Sequence, residues 1–486
     1  MNFADAMKIK STEKLTENGA FAYNRLNSSL VELFAQIGAL RPRTEEEIRQ
    51  KFRDAYYEDK ELAIKMLFYA GNIRGGLGER RTFQICLHEL AILDPEIVEQ
   101  NIHNVPHYNR WDSLFCLTNT PVSFAVWNYI FETLINDCKN MTNGKPVSLL
   151  AKWLPSEKAH SQKTRNLYHQ VLKATGMPPR LYRKVVSRLR KYIDVTECKM
   201  SDNKWEDIKY PTVPAKAMNN YHHAFAKHDI NGFEKYMLDV KSGEQKINAS
   251  TLFPYDLVRK YTDCGIYLDS VVEEQWKALP NYIEGENNVV IMADVSGSMY
   301  GRPMETSVGL AIYFAERNSG LYKNTYMTFT DRPHFIYLTP NHSLRQKVDD
   351  VMNRDVGYST NLEAAFNEIL NTALQAGVSD DEMPRALVII SDMEIDRYMR
   401  GRGLDFIEEM KYRFWDKGYT LPRLVLWNVE ARQDTYLTQS EDVIMVSGQS
   451  PSVFRSFIGA LNGETRYDIM LKTLNDPMYD RVVTTI

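Results

Sequence analysis

Val289-Val290-Ile291-Met292-Ala293-Asp294-Val295-Ser296-Gly297-Ser298-Met299 is the stretch on which the fold turns. A short apolar run is followed at once by a carboxylate, two hydroxyls and a glycine. The run is too short for a helix and has no polar face, so it reads as a strand buried on both sides. Ala386-Leu387-Val388-Ile389-Ile390 is a second such run. Strand patterns also occur at Thr325 to Thr330, His334 to Leu338, Leu424 to Val429 and Val443 to Val446. Helical patterns alternate with them, at Met304 to Glu316, Leu344 to Met352, Leu362 to Ala376, Leu404 to Trp415 and Ser452 to Leu461. Glu464 to Ile486 reads as a helix and an extended tail. Alternation of this kind predicts an α/β domain over residues 286–486, with a mostly parallel sheet covered on both faces. Ligands of such sheets sit at the carboxyl ends of the strands.

Upstream, residues 1–285 are predicted to be an α-helical, HEAT-like array without a sheet. Phe21 to Leu40 spaces Leu26, Leu30, Phe34 and Ile37 as one helix face. Thr44-Glu45-Glu46-Glu47 is a capping box opening the next helix, and Asp94-Pro95 opens another. Further helices are expected at Glu61 to Ala70, Glu79 to Leu93, Ser123 to Cys138, Lys163 to Thr175, Pro179 to Tyr192, Ala215 to Lys227 and Gly232 to Val240. The character of the chain changes near Pro280 to Asn288.

The chain has 486 residues, 44% hydrophobic and 25% charged, which excludes extensive disorder and calls for more than one domain. No apolar stretch nears the roughly 18 residues of a bilayer span, and no secretory h-region is visible, so a cytoplasmic protein with no membrane contact is expected. The five cysteines form no CxxC pair and read as reduced thiols. The net charge of −4 conceals an asymmetry: residues 1–285 carry 39 Lys and Arg against 35 Asp and Glu, and residues 145–235 alone carry 18 against 8. A local basic excess on a near-neutral chain points to one polyanion-facing surface.

Asp294, Ser296 and Ser298 can face one centre if their loop curls, which Gly297 permits. Thr360 opens a later helix, and Asp392 follows the second apolar run. Hard oxygen donors suit Mg²⁺ or Mn²⁺. The alternative use of the serines is to cap the following helix. DxSxS after a first strand, a threonine before a helix and an aspartate after a later strand resemble the metal-ion-dependent adhesion site of von Willebrand factor A domains. The resemblance implies that Asp294, Ser296, Ser298, Thr360 and Asp392 hold the ion, in a Rossmann-like α/β domain. It also implies that the hydroxyls bind directly, that an aspartate acts through water, and that an open position takes a carboxylate from an acidic protein partner. No histidine lies in the first or third loop and no GxSxG occurs, so a nucleophilic serine is not expected. Glu394 and Asp396 beside Asp392 keep a metal hydrolase as a remote alternative.

Arg180-Leu181-Tyr182-Arg183-Lys184-Val185-Val186-Ser187-Arg188-Leu189-Arg190-Lys191 has six basic residues in twelve. On a helix Arg180, Lys184, Arg188 and Lys191 line one face, Arg183 and Arg190 extend it, and Leu181, Val185 and Leu189 anchor it. Such a ridge fits RNA phosphates, with Tyr182, Tyr192, Trp205, Tyr210 and Tyr221 as stacking surfaces and Lys199, Lys204, Lys209, Lys216 and Lys227 continuing the charge. Its bland reading is a solvated helix face. Arg74-Gly75-Gly76-Leu77-Gly78 follows a helix and lacks a Gly-Lys-Ser/Thr ending, so it reads as a turn. Arg110-Trp111-Asp112-Ser113-Leu114 reads as a helix start packed between helices. His222-His223 reads as a pair with diverging side chains and poor ligand geometry.

A helical array joined to an A domain resembles the Ro autoantigen (TROVE-module) architecture, whose members bind small RNAs and misfolded RNA ends. An uncharacterised family of viruses and eukaryotes is similar over nearly the whole chain, through Ile73 to Arg80, Arg110 to Leu114, Leu150 to Pro155, Tyr182 to Met200 and Pro214 to Asp229. The expectation is a non-enzymatic binder of structured or single-stranded RNA with a metal-dependent site for an acidic partner. The alternative is a metal-dependent protein assembly module without nucleic acid.

Overall fold

The computed structural model describes residues 12–17, 20–262, 268–283, 288–330, 332–354, 360–395, 406–458 and 463–485. The first part is helical and the second is built on a mixed sheet. Five strands of that sheet follow the sequence pattern to within one or two residues: β3 Val289–Ala293, β4 Thr325–Thr328, β5 Phe335–Tyr337, β6 Ala386–Ser391 and β7 Arg423–Asn428; β8, Ile444–Ser447, completes it. They are ordered β5-β4-β3-β6-β7-β8. All neighbours are parallel except the β4–β5 pair, an antiparallel edge. Every residue of β3 and β6 is buried. The Leu387, Val388, Ile389 and Ile390 side chains alone remove enough apolar surface for roughly 6–12 kcal/mol of gross stabilisation.

The order dictates where a ligand can bind. From β3 the chain moves outward to β4 and β5, then returns to the other side of β3 as β6. The loops leaving β3 and β6 therefore part in opposite directions and open a crevice between them. Helix Arg302–Arg317 lies against β3, β4 and β6 and stabilises the floor of that crevice.

The helical part contains Glu45–Glu58, Lys60–Gly71, Arg80–Leu93, Ser123–Thr142, Gln162–Thr175, Pro179–Tyr192, Ala215–His228 and Ile230–Ser242. The Thr44 capping box is present, with Thr44 Oγ1 accepting from Glu47 N and the Glu47 carboxylate accepting from Thr44 N. The Gly75-Gly76 stretch joins two helices as a turn. One expectation fails here. Phe21 to Leu40 is not one helix: β1 Glu13–Leu15 and β2 Phe21–Tyr23 form a hairpin, and the helix is only Ser29–Gln36. Tertiary pairing overrides the local period, because Tyr23 bridges Tyr436 beyond β7. Ser28 and Asn27 then stop the extended run, and Ser28 caps the helix through Val31 N.

Packing runs across the compositional boundary near residue 285. Helix Ser29–Gln36 covers the sheet edge at β8, so the open backbone of that strand is shielded. Gly38 sits so close to Gly448 that a Cβ on it would lie 2.5 Å from the Gly448 Cα. Gly448 itself has φ +117°. Ser452 Oγ donates to the Gly76 carbonyl at 2.8 Å, docking the glycine turn on the sheet part. The segment after helix Arg466–Leu474 returns to the first part. There the Asn101 amide donates to Val483 O, Asn104 donates to Arg481 O, and Tyr108 donates to Met478 O.

Candidate functional site

Asp294 is fully buried at the end of β3, and its backbone N–H donates to Ile390 O of the neighbouring strand. One carboxylate oxygen accepts from Ser296 N at 2.9 Å and the other from Ser391 Oγ at 2.6 Å. These bonds aim the loop back over the strand end. The Ser296 and Ser298 hydroxyls then stand 3.2 Å apart. Two metal–oxygen bonds of about 2.1 Å at right angles separate their oxygens by about 3.0 Å, so the pair is spaced as adjacent ligands of an octahedral ion. Neither hydroxyl caps a helix: Ser296 precedes the 3-10 turn Gly297–Met299 without a side-chain cap bond, and Gly301 occupies the N-cap of Arg302–Arg317, also without one.

The third loop approaches from β6. Asp392 is 3% exposed. Its Oδ1 accepts from Glu394 N at 3.2 Å, while its Oδ2 is buried with no hydrogen-bond partner. Met393 between them has φ +67°, an uncommon conformation for a branchless but bulky residue, held by Ser391 Oγ accepting from its N–H. Thr360, 1% exposed, donates from Oγ1 to Glu394 O at 3.4 Å, which fixes the second loop to the third. The first and third loops meet at Arg432. Its Nη2 donates to the Ser298 carbonyl and lies 3.8 Å from Asp392 Oδ2. Asp294 and its loop thus meet the third loop through Ser391 and Arg432, and Thr360 is tied to that loop through Glu394 O. Gly357 to Ser359 and Asp396 lie outside the described residues.

Electrostatics mark the same spot. Burial, reinforced by the Asp392 charge, pushes the Asp294 carboxyl up to about 6. Burial also raises Glu394, although Glu17 N and Thr435 bond its carboxylate. Closely spaced buried carboxylates are costly without positive charge between them. The Asp392 oxygen that accepts no hydrogen bond, the paired hydroxyls and the all-oxygen donor set fit a hard divalent cation. Sequence reading missed Ser391 and Arg432. Ser391 was visible as the polar last residue of an apolar strand. Arg432 carries no local signal, since only the fold brings the chain beyond β7 to this point.

Helix Pro179–Tyr192 places the second set of residues. Arg180, Arg183, Lys184, Arg188 and Lys191 are exposed, and Arg183 approaches Glu157 at 3.3 Å. Arg190 is different. Its guanidinium donates to Ala151 O, Leu154 O and Ser156 Oγ, which commits it to holding residues 151–156. The anchoring row is Tyr182, Val186 and Leu189, not Leu181, Val185 and Leu189. Leu181 is 48% exposed, because burying Tyr182 removes a larger surface and its hydroxyl finds Pro155 O at 2.7 Å. Tyr182 and Tyr210 are buried and offer no stacking face, and Trp205 is stacked on His228 at 4.3 Å. Arg188, Lys191, Lys199 and Lys209 line one open groove of about 770 Å³ with Tyr192, Asp194 and Asp207, and Lys199 is paired with Asp194 at 2.7 Å. Trp111 stacks on Tyr129 and Arg110 lies 4.0 Å over the Trp153 ring, as packing groups. The His222 and His223 rings do not diverge: their centroids are 4.0 Å apart.

Among the described residues no helix is long and apolar enough to cross a membrane. Residues 288–478 match a domain of unknown function, DUF7788, and residues 122–288 match another, DUF2828. The chain is 30% identical over 487 aligned positions to an uncharacterised protein of Acanthamoeba polyphaga mimivirus, covering 92% of this chain and 84% of the viral one. The chain belongs to the family of that uncharacterised viral protein.

Proposed function

We propose that this protein is a non-enzymatic RNA-binding protein whose sheet part is a von Willebrand A-like domain, with one Mg²⁺ or Mn²⁺ in the crevice between β3 and β6. The observation that carries the RNA reading is the exposed cationic row Arg180, Lys184, Arg188 and Lys191 on helix Pro179–Tyr192, which runs into a groove where Lys199 and Lys209 outnumber the free acidic charge left after Asp194 pairs with Lys199. Arg180, Lys184, Arg188 and Lys191 make no ion pair among the described residues. Their charge is therefore free to meet phosphates, giving salt-sensitive binding with little sequence preference. The likeness to Ro-type architecture supports the reading by analogy alone. In the crevice, Ser296, Ser298 and Thr360 would hold the ion, and Asp294 and Asp392 would balance its charge. The ion supplies an open position that a partner's carboxylate can fill.

The test is titration of a mixed single-stranded RNA pool at several salt concentrations. Arg188→Glu with Lys191→Glu should weaken binding and flatten the log–log salt slope by roughly 1.4, about 0.7 for each lost phosphate contact. Absence of binding at low salt overturns the RNA reading. A second reading rests on the Asp392 oxygen that accepts no hydrogen bond: the ion alone recruits an acidic protein, without nucleic acid. Mg²⁺-dependent binding of an acidic peptide, lost in Thr360→Ala, together with no RNA binding, would favour it.

A further inference from the structure

A second group of ligands lies far from the sheet crevice in sequence. His222 Nε2, His223 Nε2 and Asp269 Oδ2 belong to side chains whose ligand atoms all lie within 4.8 Å of one another. His222 is 4% exposed, and Asp269 is also largely covered, whereas His223 faces solvent. The three come from two elements: the histidines from helix Ala215–His228, and Asp269 from the N-cap of helix Ser270–Lys277.

The bonds around them leave one place for positive charge. Asp269 Oδ1 is used by the backbone, accepting from Val271 N and Val272 N. That fixes the carboxylate and turns Oδ2 toward His222 Nε2, 2.7 Å away, and His223 Nε2, 3.9 Å away. His222 Nδ1 faces another acceptor, the Asn219 carbonyl, at 3.0 Å. Both nitrogens of a buried ring thus confront oxygens, and a neutral imidazole can donate to only one. The backbone carbonyl is the usual partner of a metal-binding histidine's second nitrogen, because it sets the tautomer that frees Nε2 as a ligand. A cation held by His222 Nε2, His223 Nε2 and Asp269 Oδ2 satisfies all three groups. Tetrahedral ligands about 2.1 Å from an ion stand about 3.4 Å apart, so shifts of about 0.7 Å and about 0.5 Å from the present 2.7 and 3.9 Å bring the two oxygen–nitrogen spacings there.

We propose that His222, His223 and Asp269 form a binding site for a transition-metal cation of the zinc class, separate from the oxygen-lined crevice. Two imidazoles and one carboxylate select such an ion over Mg²⁺. Its position suggests what it does. Ile208, Tyr210, Phe225, Phe233, Tyr236 and their neighbours form a small hydrophobic core distinct from the main one. Helix Ser270–Lys277 gives Val271 to the small core and Val272 and Trp276 to the main one. A metal tying its first residue to helix Ala215–His228 clamps the small core to the rest of the molecule. Metals support small cores in this way because the ordered ligands exist only in the folded state.

The experiment uses the full chain, stripped with chelator and returned to excess Mg²⁺ so that the crevice is filled. Zn²⁺ is titrated calorimetrically, and Co²⁺ is followed by its visible absorption. Wild type should take up one equivalent of Zn²⁺ and show the intense absorption of four-coordinate Co²⁺. His223→Ala, on the solvent side, should keep the fold and lose at least about tenfold in Zn²⁺ affinity. Asp269→Asn should lose more; because it also disturbs a helix cap, His223→Ala is the deciding variant. Asp294→Ala should leave the Zn²⁺ equivalent unchanged. No uptake by wild type overturns the proposal. Uptake unaffected by His223→Ala overturns it as well, since the ion then sits elsewhere.

Discussion

The crevice of the sheet part conceals its polar groups, whereas the basic helix Pro179–Tyr192 displays its cations. Asp294, Ser296, Thr360 and Asp392 are each no more than 5% exposed, and nearly every atom of theirs has a defined partner. Arg180, Lys184, Arg188 and Lys191 stand in solvent on one helix. The two arrangements carry different weight. A buried carboxylate oxygen without a hydrogen bond costs free energy and so demands an explanation. An exposed lysine costs nothing and is informative only in company, as in the groove where four cations meet.

The sharpest way to break the contrast is to remove a buried group. Asp294→Ala should lower Mg²⁺ affinity at least a hundredfold by isothermal titration, while RNA affinity changes less than twofold. Loss of both together would mean that the two parts do not work separately. Next comes the seam. Gly38→Ala forces a methyl into the Gly448 backbone and should cost about 2–3 kcal/mol by chemical denaturation, with the helical and sheet parts lost together because the main core spans both.

Acidity probes the crevice itself. The Asp294 carboxyl is raised from 3.8 to about 6 in the fold, so the folded state binds its proton more tightly than the unfolded chain. That contribution is complete below about pH 4 and is lost as pH rises through about 6. Chelated protein should therefore melt lower at about pH 7 than at about pH 5, from this group, and saturating Mg²⁺ should remove the difference. On the helix, Arg190→Ala should cost about 1–2 kcal/mol of stability, since it frees buried carbonyls, and leave RNA binding nearly intact. Arg188→Ala should do the reverse, weakening RNA severalfold with a stability change within about 0.5 kcal/mol. Smallest of all, Arg432→Ala should tighten Mg²⁺ a few-fold, because a guanidinium no longer competes at Asp392.

The two parts also differ in how much the sequence disclosed. Continuous apolar runs such as Ala386 to Ile390 have one plausible use, and the polar residue that ends each run lies where the topology opens a crevice. The strands, and the loops that leave them, were thus legible together. Phe21 to Leu40 was not, because a helical period and a hairpin coexist there, and the choice is made by Tyr436, more than four hundred positions away. Arg190 was indistinguishable from Arg188 in a run of cations; only the carbonyls of residues 151–154 separate them. His222 and His223 point apart on an ideal helix, and it is Asp269, on another helix, that gathers them.

The returning segment at residues 478–483 has a consequence for biosynthesis. Asn101, Asn104 and Tyr108 are made well before the carbonyls they donate to, which lie 382, 377 and 370 residues further along the chain. Until those are made, the nascent helices hold open amides and a bare apolar seat for Tyr479, a surface for chaperones to guard. The packing around Asn101, Asn104 and Tyr108 is thus completed only by a segment synthesised hundreds of residues later.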